Sequence, residues 1–450
     1  MFAYNFSLAL RSLKERPALT LLMLLAMSVG LGLFVTFYTF AKNGSDIPHG
    51  DKASTLYLVQ MDNRELSADK IDRAIDMPDT TYRDAVNLYN LDMPAIHQTY
   101  VMRTWATLSF ADNEVRPMQT RGAATTADFF TMFEPPFLYG SGWQLAADSG
   151  DSQVVLGKTM NDKLFGGINS VGKRLLLNNK PVTVVGVLDT WHLSWRLYDR
   201  GYYQGYPHDF FVPVQYALNH NLTRDTRFDC WEADQPQSSR FTNQDLDILR
   251  ASECGWLAFW AELPEADPAQ YQEKLHSYIN EQKAYGRFPR ELQTYVLNIV
   301  EQMDFLNANY GEQSSVIMAL LFYTVCLLNA IGILLAKFIR RSKEVSVRRA
   351  LGARKSAIIL QHTLEVMMLG LVSAVFGLLI AVLGLKAMVQ IRLWASDYNA
   401  RLEDVMPYFQ LDWGLALQAF AISVLCALLI SIYPIWRLCS QPVAGYLKSQ

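Results

Sequence analysis

The sequence predicts an α-helical membrane protein with four transmembrane helices and a large extracytoplasmic α/β domain. Three observations carry this reading. Hydrophobic residues make up 51% of the 450-residue chain and charged residues 18%, yet the apolar ones gather into separated blocks rather than one globular pattern. Four of those blocks are long enough to cross a bilayer core of about 30 Å. Positive charge collects beside two of them: Arg11, Lys14 and Arg16 precede the first and a basic stretch follows the second, which makes both flanks cytoplasmic by the positive-inside rule.

Residues 1–17 form a cytoplasmic, basic and amphipathic N-terminus, and residues 18–41 form the first span. This run is too long for a signal-peptide core and no small-x-small cleavage site follows at Lys42-Asn43-Gly44, so a retained anchor is expected. Ala26 and Gly30 are small residues four apart, which permits close approach of another helix.

Residues 42–313 then lie outside the cytoplasm as a folded α/β module. Leu56 to Val59, Arg103 to Phe110 and Trp256 to Leu263 read as strands. Pro268 to Lys283 reads as a helix, because Tyr271, Leu275 and Ile279 repeat at helical spacing, and the alternation suggests βα units. Between these pieces, Val154 to Gly157, Leu164 to Gly166, Ser170 to Lys173 and Val182 to Leu188 are short runs separated by turn residues, so a β-rich lobe with an Asn178-Asn179 turn is expected.

Residues 314–336 are the second span, whose polar Asn329 is expected to face another helix. Residues 337–356 are a cytoplasmic loop and 357–386 the third span, where Gly370, Gly377 and Gly384 recur every seven residues and present a face for tight packing. Two copies of the chain, or the chain and a paralogue, are expected to pair through that face or through Ala26 and Gly30. His362 and Glu365, in the first turns of the third span, read as interfacial or paired polar groups. A short external loop over 387–410, the fourth span over 411–436 and a cytoplasmic tail over 437–450 complete the chain.

No nucleophile, base and orienting group occur on a recognisable motif, so no catalytic residue is assigned. Gly167 to Lys173 has phosphate-loop spacing but continues with Arg174, and Gly157-Lys158-Thr159 has Ser152 where the first glycine belongs. Both read as turns, and neither is expected to sit in a strand, loop and helix arrangement. Trp191 to Phe211 is crowded with aromatics and carries His192 and His208, but no metal-ligand spacing is met, so no metal is assigned. Of the five cysteines, Cys230 and Cys254 alone fall in the external region, where disulfides persist, and a bridge between them or two free thiols are the alternatives.

The cytoplasmic loop has helical character of its own. Glu344 and Arg348 are four apart with the acid first, Val347, Ala350 and Leu351 share a face, and Gly352 is placed to stop the helix. The wording from Asn329 to Ala336 and from Arg340 to Lys355, with Gln361 and Glu365 beyond, resembles the MacB/FtsX-like ABC transporter permeases. In that family this segment is the coupling helix. The resemblance therefore implies that Lys343, Glu344, Val347, Arg348, Arg349, Leu351 and Gly352 contact an ABC ATPase.

The β-rich runs, with Asp128-Phe129-Phe130 and Gly140 upstream, are similar to the MacB-like periplasmic core domain. That likeness implies a βαβ lobe over about 50–124 and 255–300 with a β-rich lobe inserted over about 125–254. It further implies a multi-pass permease of the bacterial inner membrane that works by mechanotransmission in efflux, in contact with membrane lipid and without nucleic acid. A separate ATPase subunit would bind ATP and Mg, leaving this chain without a cofactor and without enzyme activity. The implied partners are that ATPase, a second permease copy or paralogue, a periplasmic adaptor and an outer-membrane channel. Lipoprotein release and FtsX-like regulation of a cell-wall hydrolase are the alternatives within the family. MacB itself carries its ATPase ahead of the first span, a plan from which this chain departs.

Overall fold

The computed structural model describes residues 17–69, 73–110, 116–145, 148, 150–191, 193, 195–200, 208–224, 230–231, 246–264, 268–310, 313–340, 342–395, 402 and 406–440. The N-terminal segment expected to be amphipathic, the C-terminal end of the tail, His192 and most of the acidic stretch between Cys230 and Cys254 lie outside these residues. The chain forms two compact units, Asp46–Leu306 and, from both chain ends, Met1–Ser45 with Asn307–Gln450.

The external unit is built on twelve described strands: β1 Leu56–Met61, β2 Thr80–Thr81, β3 His97–Ser109, β4 Met118–Thr125, β5 Phe137–Gly140, β6 Gln153–Leu156, β7 Arg174–Leu177, β8 Lys180–Leu188, β9 Phe210–Pro213, β10 Thr223–Arg224, β11 Gly255–Glu262 and β12 Thr294–Asn298. At one end the order is β12-β1-β11-β3, antiparallel at each step. Strands β1 and β3, linked through the helix Tyr82–Asn90, therefore run parallel with β11 between them. Likewise β11 and β12, linked through the helix Pro268–Lys283, run parallel with β1 between them. The expected βα units are present as two interleaved split βαβ units.

Strand β3 is 13 residues long and extends into a second structure. Its partners β4 and β7 lead, through β9, β6 and β8, around a closed ring of six strands. The β-rich lobe expected to begin near residue 125 thus takes β3 and β4 from the preceding piece, and the two lobes share a strand. Closure leaves those strands without free edges. The hairpin between β7 and β8 turns at Asn178 and Asn179, whose φ angles of 47° and 63° are both positive, as a type I′ turn requires.

Strand β11 lies at the centre and is buried on both faces. Phe259 and Ala261 enter one core while Ala258 and Trp260 enter the other, as strand alternation dictates. The aromatic segment fills the second core: Trp191 stacks on Tyr198 at 5.5 Å, Trp260 meets Phe133 edge-on at 5.3 Å, and the Trp260 indole donates to the Tyr198 carbonyl at 2.9 Å.

Cys230 and Cys254 are joined by a disulfide across a sequence separation of 24. In the chain-entropy picture a loop of this size stabilises by about 3 kcal/mol through restriction of the unfolded chain. Replacing both cysteines with serine is expected to lower stability by about that amount. Mass spectrometry after alkylation of protein taken from the native envelope without reductant checks the bridge; free alkylation of both thiols contradicts it.

Four helices of the other unit are long and apolar enough to cross a membrane: Pro17–Ser45, Gln313–Arg340, Lys355–Trp394 and Trp413–Arg437. The third belongs to a 41-residue helix ending at Ala395, not at 386 as expected, and at 1.5 Å per residue it is about 60 Å long. Residues Lys386 to Trp394 contain no glycine or proline to stop it.

The small residues serve packing inside this chain. A methyl group added at Gly32 would lie 2.5 Å from Ile380, at Gly377 2.7 Å from Leu31, and at Gly384 2.7 Å from Thr36, so the first and third spans meet backbone to side chain. Gly30 is closed off by Tyr323 at 2.9 Å and Gly370 by Ala427 at 2.8 Å, and Ala26 is half-buried. The expectation that Gly30 or the Gly370, Gly377 and Gly384 face pairs two copies is thereby corrected: helices of the same chain already occupy them. Asn329 lies on the exposed side of the second span, which leaves it available to a helix outside this chain.

Candidate functional site

The candidate site is the end of the membrane unit where the second span gives way to the third, the end expected to be cytoplasmic. The second span runs to Arg340 and the helix Ser342–Ala350 follows. This short helix ends at Gly352, whose φ of 97° is left-handed; its N–H donates to the Arg349 carbonyl at 3.1 Å while the Ala353 N–H donates to that of Arg348 at 3.0 Å. That hydrogen-bond pair is a Schellman cap and accounts for the glycine.

One side of the helix is seated and the other is not. Val345 is buried among Phe338, Ile358, Val366 and Met27, and Ser346 is buried beside it. Val347 is 49% exposed and Leu351 84%, with Ala350 exposed between them and Arg348 and Arg349 half-buried. The apolar face expected from the sequence is therefore turned outward. The Lys343 and Glu344 side chains, and with them the expected Glu344–Arg348 pairing, lie outside the described residues. Arg348 donates to the Gln361 carboxamide oxygen at 3.3 Å, in the first turns of the third span.

One turn deeper is a group of charges. Lys337 and Glu365 form an ion pair in which both side chains are fully buried, and His362 Nδ1 lies 3.2 Å from the other Glu365 oxygen. The imidazole also packs on Phe338, ring centroids 4.7 Å apart. His362 and Glu365 are thus paired, while the role of Lys337 was not visible in a basic loop where a lysine normally reaches for water. The available signal was an acid four residues beyond Gln361 on a span that a short loop folds back against Lys337.

The phosphate-loop look-alikes show one departure from expectation. Gly157-Lys158-Thr159 does join a strand, β6, to a helix, Lys158–Phe165. The turn is closed, however: a methyl group on Gly157 would lie 2.9 Å from the His208 carbonyl, and Lys158 pairs with Asp189 at 2.9 Å. Gly167 and Gly172 have φ of 79° and 84° and serve as turn glycines. Among the described residues no group of three His, Cys, Asp or Glu side chains could hold a metal ion.

Comparison with known proteins extends this picture. The family of MacB-like periplasmic core domains matches residues 20–275, and that of FtsX-like permease C-terminal domains matches residues 316–443. The chain is 27% identical over 278 residues to the macrolide export ATP-binding/permease protein MacB of Nitrobacter winogradskyi, covering 60% of this chain and 36% of that protein, so it spans little more than a third of that relative. Among solved structures, the periplasmic region of MacB from Actinobacillus actinomycetemcomitans is similar at 12% identity and a TM-score of 0.35, over 57% of this chain and 94% of that one. The extracellular domain of the ABC-type transporter YknZ from Gram-positive bacteria is similar at 12% identity and a TM-score of 0.32, over 54% and 100%. With the first domain covering more than half of the chain and the second its C-terminal spans, the chain belongs to the MacB/FtsX-like family of ABC transporter permeases.

Proposed function

We propose that this chain is the permease subunit of a MacB-like ABC transporter in the bacterial inner membrane. It couples ATP hydrolysis on a separate ATPase subunit to movement of its periplasmic unit, and so drives export together with an adaptor protein and an outer-membrane channel. The observation that carries the reading is the outward face of the helix Ser342–Ala350 and its cap. Val347 and Leu351 project apolar side chains beside two arginines from a basic cytoplasmic loop, an arrangement suited to docking on a partner protein. ATP and Mg belong to that partner.

A second permease copy or paralogue is assigned to the exposed side of the second span. Asn329 lies there with Val325 and Leu328 around it, and an amide at this depth gains most by hydrogen bonding across a helix interface. Lipoprotein release and hydrolase regulation would use the same docking face, and differ in what the periplasmic unit meets.

Substituting Val347→Asp together with Leu351→Asp is expected to abolish ATPase stimulation in reconstituted membranes while insertion is retained. Unchanged stimulation would overturn the docking role. In the same membranes, Leu328→Cys is expected to crosslink two permeases, and absence of any crosslinked dimer from that face would remove it as the interface.

A further inference from the structure

The buried charges behind the docking helix are unexplained by docking itself. Lys337 and Glu365 are fully buried, so each has given up its hydration, and His362 is 3% exposed. Such a pair seldom adds net stability: well-packed apolar residues of similar volume usually do as well or better, whereas loss of one partner is severe. Ionisable groups buried within membrane spans accordingly mark function by default.

The position of this cluster supplies the role. Lys337 is in the last turn of the second span, and the docking helix continues from that span after Arg340. Glu365 lies one turn beyond Gln361 on the third span, and Gln361 is where Arg348 of the docking helix attaches at 3.3 Å. Val345 of the docking helix and Phe338 of the second span share one apolar cluster, and Phe338 also packs on the His362 ring. The docking helix therefore bears on both spans, covalently on one and through Arg348 on the other.

We propose that Lys337, Glu365 and His362 are positioning residues that clamp the cytoplasmic ends of the second and third spans into one body, so that displacement of the docking helix moves both together. His362 holds the carboxylate oxygen that Lys337 does not take, fixing the Glu365 rotamer. An apolar pair would pack there but would permit the two helices to slip, since dispersion contacts have no fixed direction. This inference rests on the docking reading above.

The test uses the full chain reconstituted with its ATPase, measuring thermal stability, ATPase retention and ATPase stimulation. Lys337→Met combined with Glu365→Leu is expected to retain folding and ATPase binding while stimulation falls roughly tenfold, within the range reported for residues that carry coupling. Full stimulation from this folded variant overturns the clamp. If the double variant does not accumulate, His362→Leu and His362→Gln decide. A drop for leucine with recovery for glutamine, whose amide can still donate to Glu365, supports the clamp, and equal stimulation by both overturns it. The Val347→Asp and Leu351→Asp variant separates the two readings. If it loses stimulation while the Lys337→Met and Glu365→Leu variant keeps it, the clamp alone fails; if it keeps stimulation, the docking role fails and the clamp falls with it.

Discussion

Replacing Arg287 with methionine is expected to destabilise the external unit by about 3–5 kcal/mol, the cost of removing one partner from a buried ionic network. Arg287 is 5% exposed and donates from Nη1 and Nη2 to Asp84 at 2.8 and 2.7 Å, and from Nε and Nη2 to Glu253 at 2.8 Å each. Tyr278 adds a hydrogen bond to Asp84 at 2.7 Å, and Arg83 pairs with Glu253 at 2.9 Å. The network ties the helix Tyr82–Asn90, the segment that carries the Cys254 bridge, and the turn after the helix Pro268–Lys283. Without the guanidinium, Asp84 would keep only hydroxyl donors and Glu253 its Arg83 pair and Asn63, so the burial of the two neighbouring carboxylates would be compensated only in part.

The same network fixes a pH dependence. Burial alone would raise the Glu253 carboxyl, but the Arg287 hydrogen bonds and charge, with Asn63 and Arg83, outweigh it and hold the group below its ordinary range. A depressed carboxylate contributes stability that is complete above its unfolded pKa and is lost as pH falls through the folded one. Chemical unfolding followed by tryptophan fluorescence should show the loss at pH 7, with a weaker acid dependence below pH 4 in the Arg287→Met protein. A change under about 1 kcal/mol would contradict the network's role.

Acidification from pH 7 to 5 is expected to destabilise the external unit through two histidines, the half-buried His49 by about 2 kcal/mol by linkage and the buried His208 in the same direction. His49 is lowered from 6.5 to about 4, chiefly by burial and against a hydrogen bond to the Phe133 carbonyl, and its Nε2 is buried without a partner. His208 is pushed well below 6.5 by burial and then by the charges of Arg196, Arg103 and Arg121. Its Nδ1 lies 2.8 Å from the Tyr198 hydroxyl and its Nε2 3.3 Å from Asp199, an arrangement that suits a neutral ring with the tyrosine donating. Because both folded values lie below the unfolded one, stability is complete above about 6.5 and falls as protons bind the unfolded chain. Unfolding free energies at pH 7 and 5 check this, and His49→Gln should remove about 2 kcal/mol of the difference. An unchanged pH dependence in that variant would refute the assignment to His49.

How much of this was legible in the sequence depends on how far apart the interacting residues are. The four apolar blocks, the helix Pro268–Lys283, the Asn178-Asn179 turn and the stop at Gly352 were readable because each follows from local rules: length against the bilayer, helical periodicity, and the backbone angles that asparagine and glycine tolerate. The split pairing of β1, β11 and β3 was not, since β11 reaches its place from about 150 residues away and alternation alone does not name a strand's neighbours. Nor was closure of the ring through β3 and β7, which made one sheet of two expected lobes.

At the membrane unit, composition identified which residues matter and left open what they touch. Seven-residue glycine spacing marks a face for close packing, but the same face serves a neighbour in the same chain or in another, and only the positions of Leu31, Thr36 and Ala427 decide for the former. Lysine at the end of a span ordinarily points to water, so the burial of Lys337 against Glu365 could emerge only once the third span was folded back beside the second. The sequence by itself determined the four apolar spans, the local elements and the helix Ser342–Ala350 with its cap. The tertiary structure decided strand order, which small-residue faces are already filled, and which charges meet, because each depends on contacts between residues distant in the chain whose partners local chemistry does not specify.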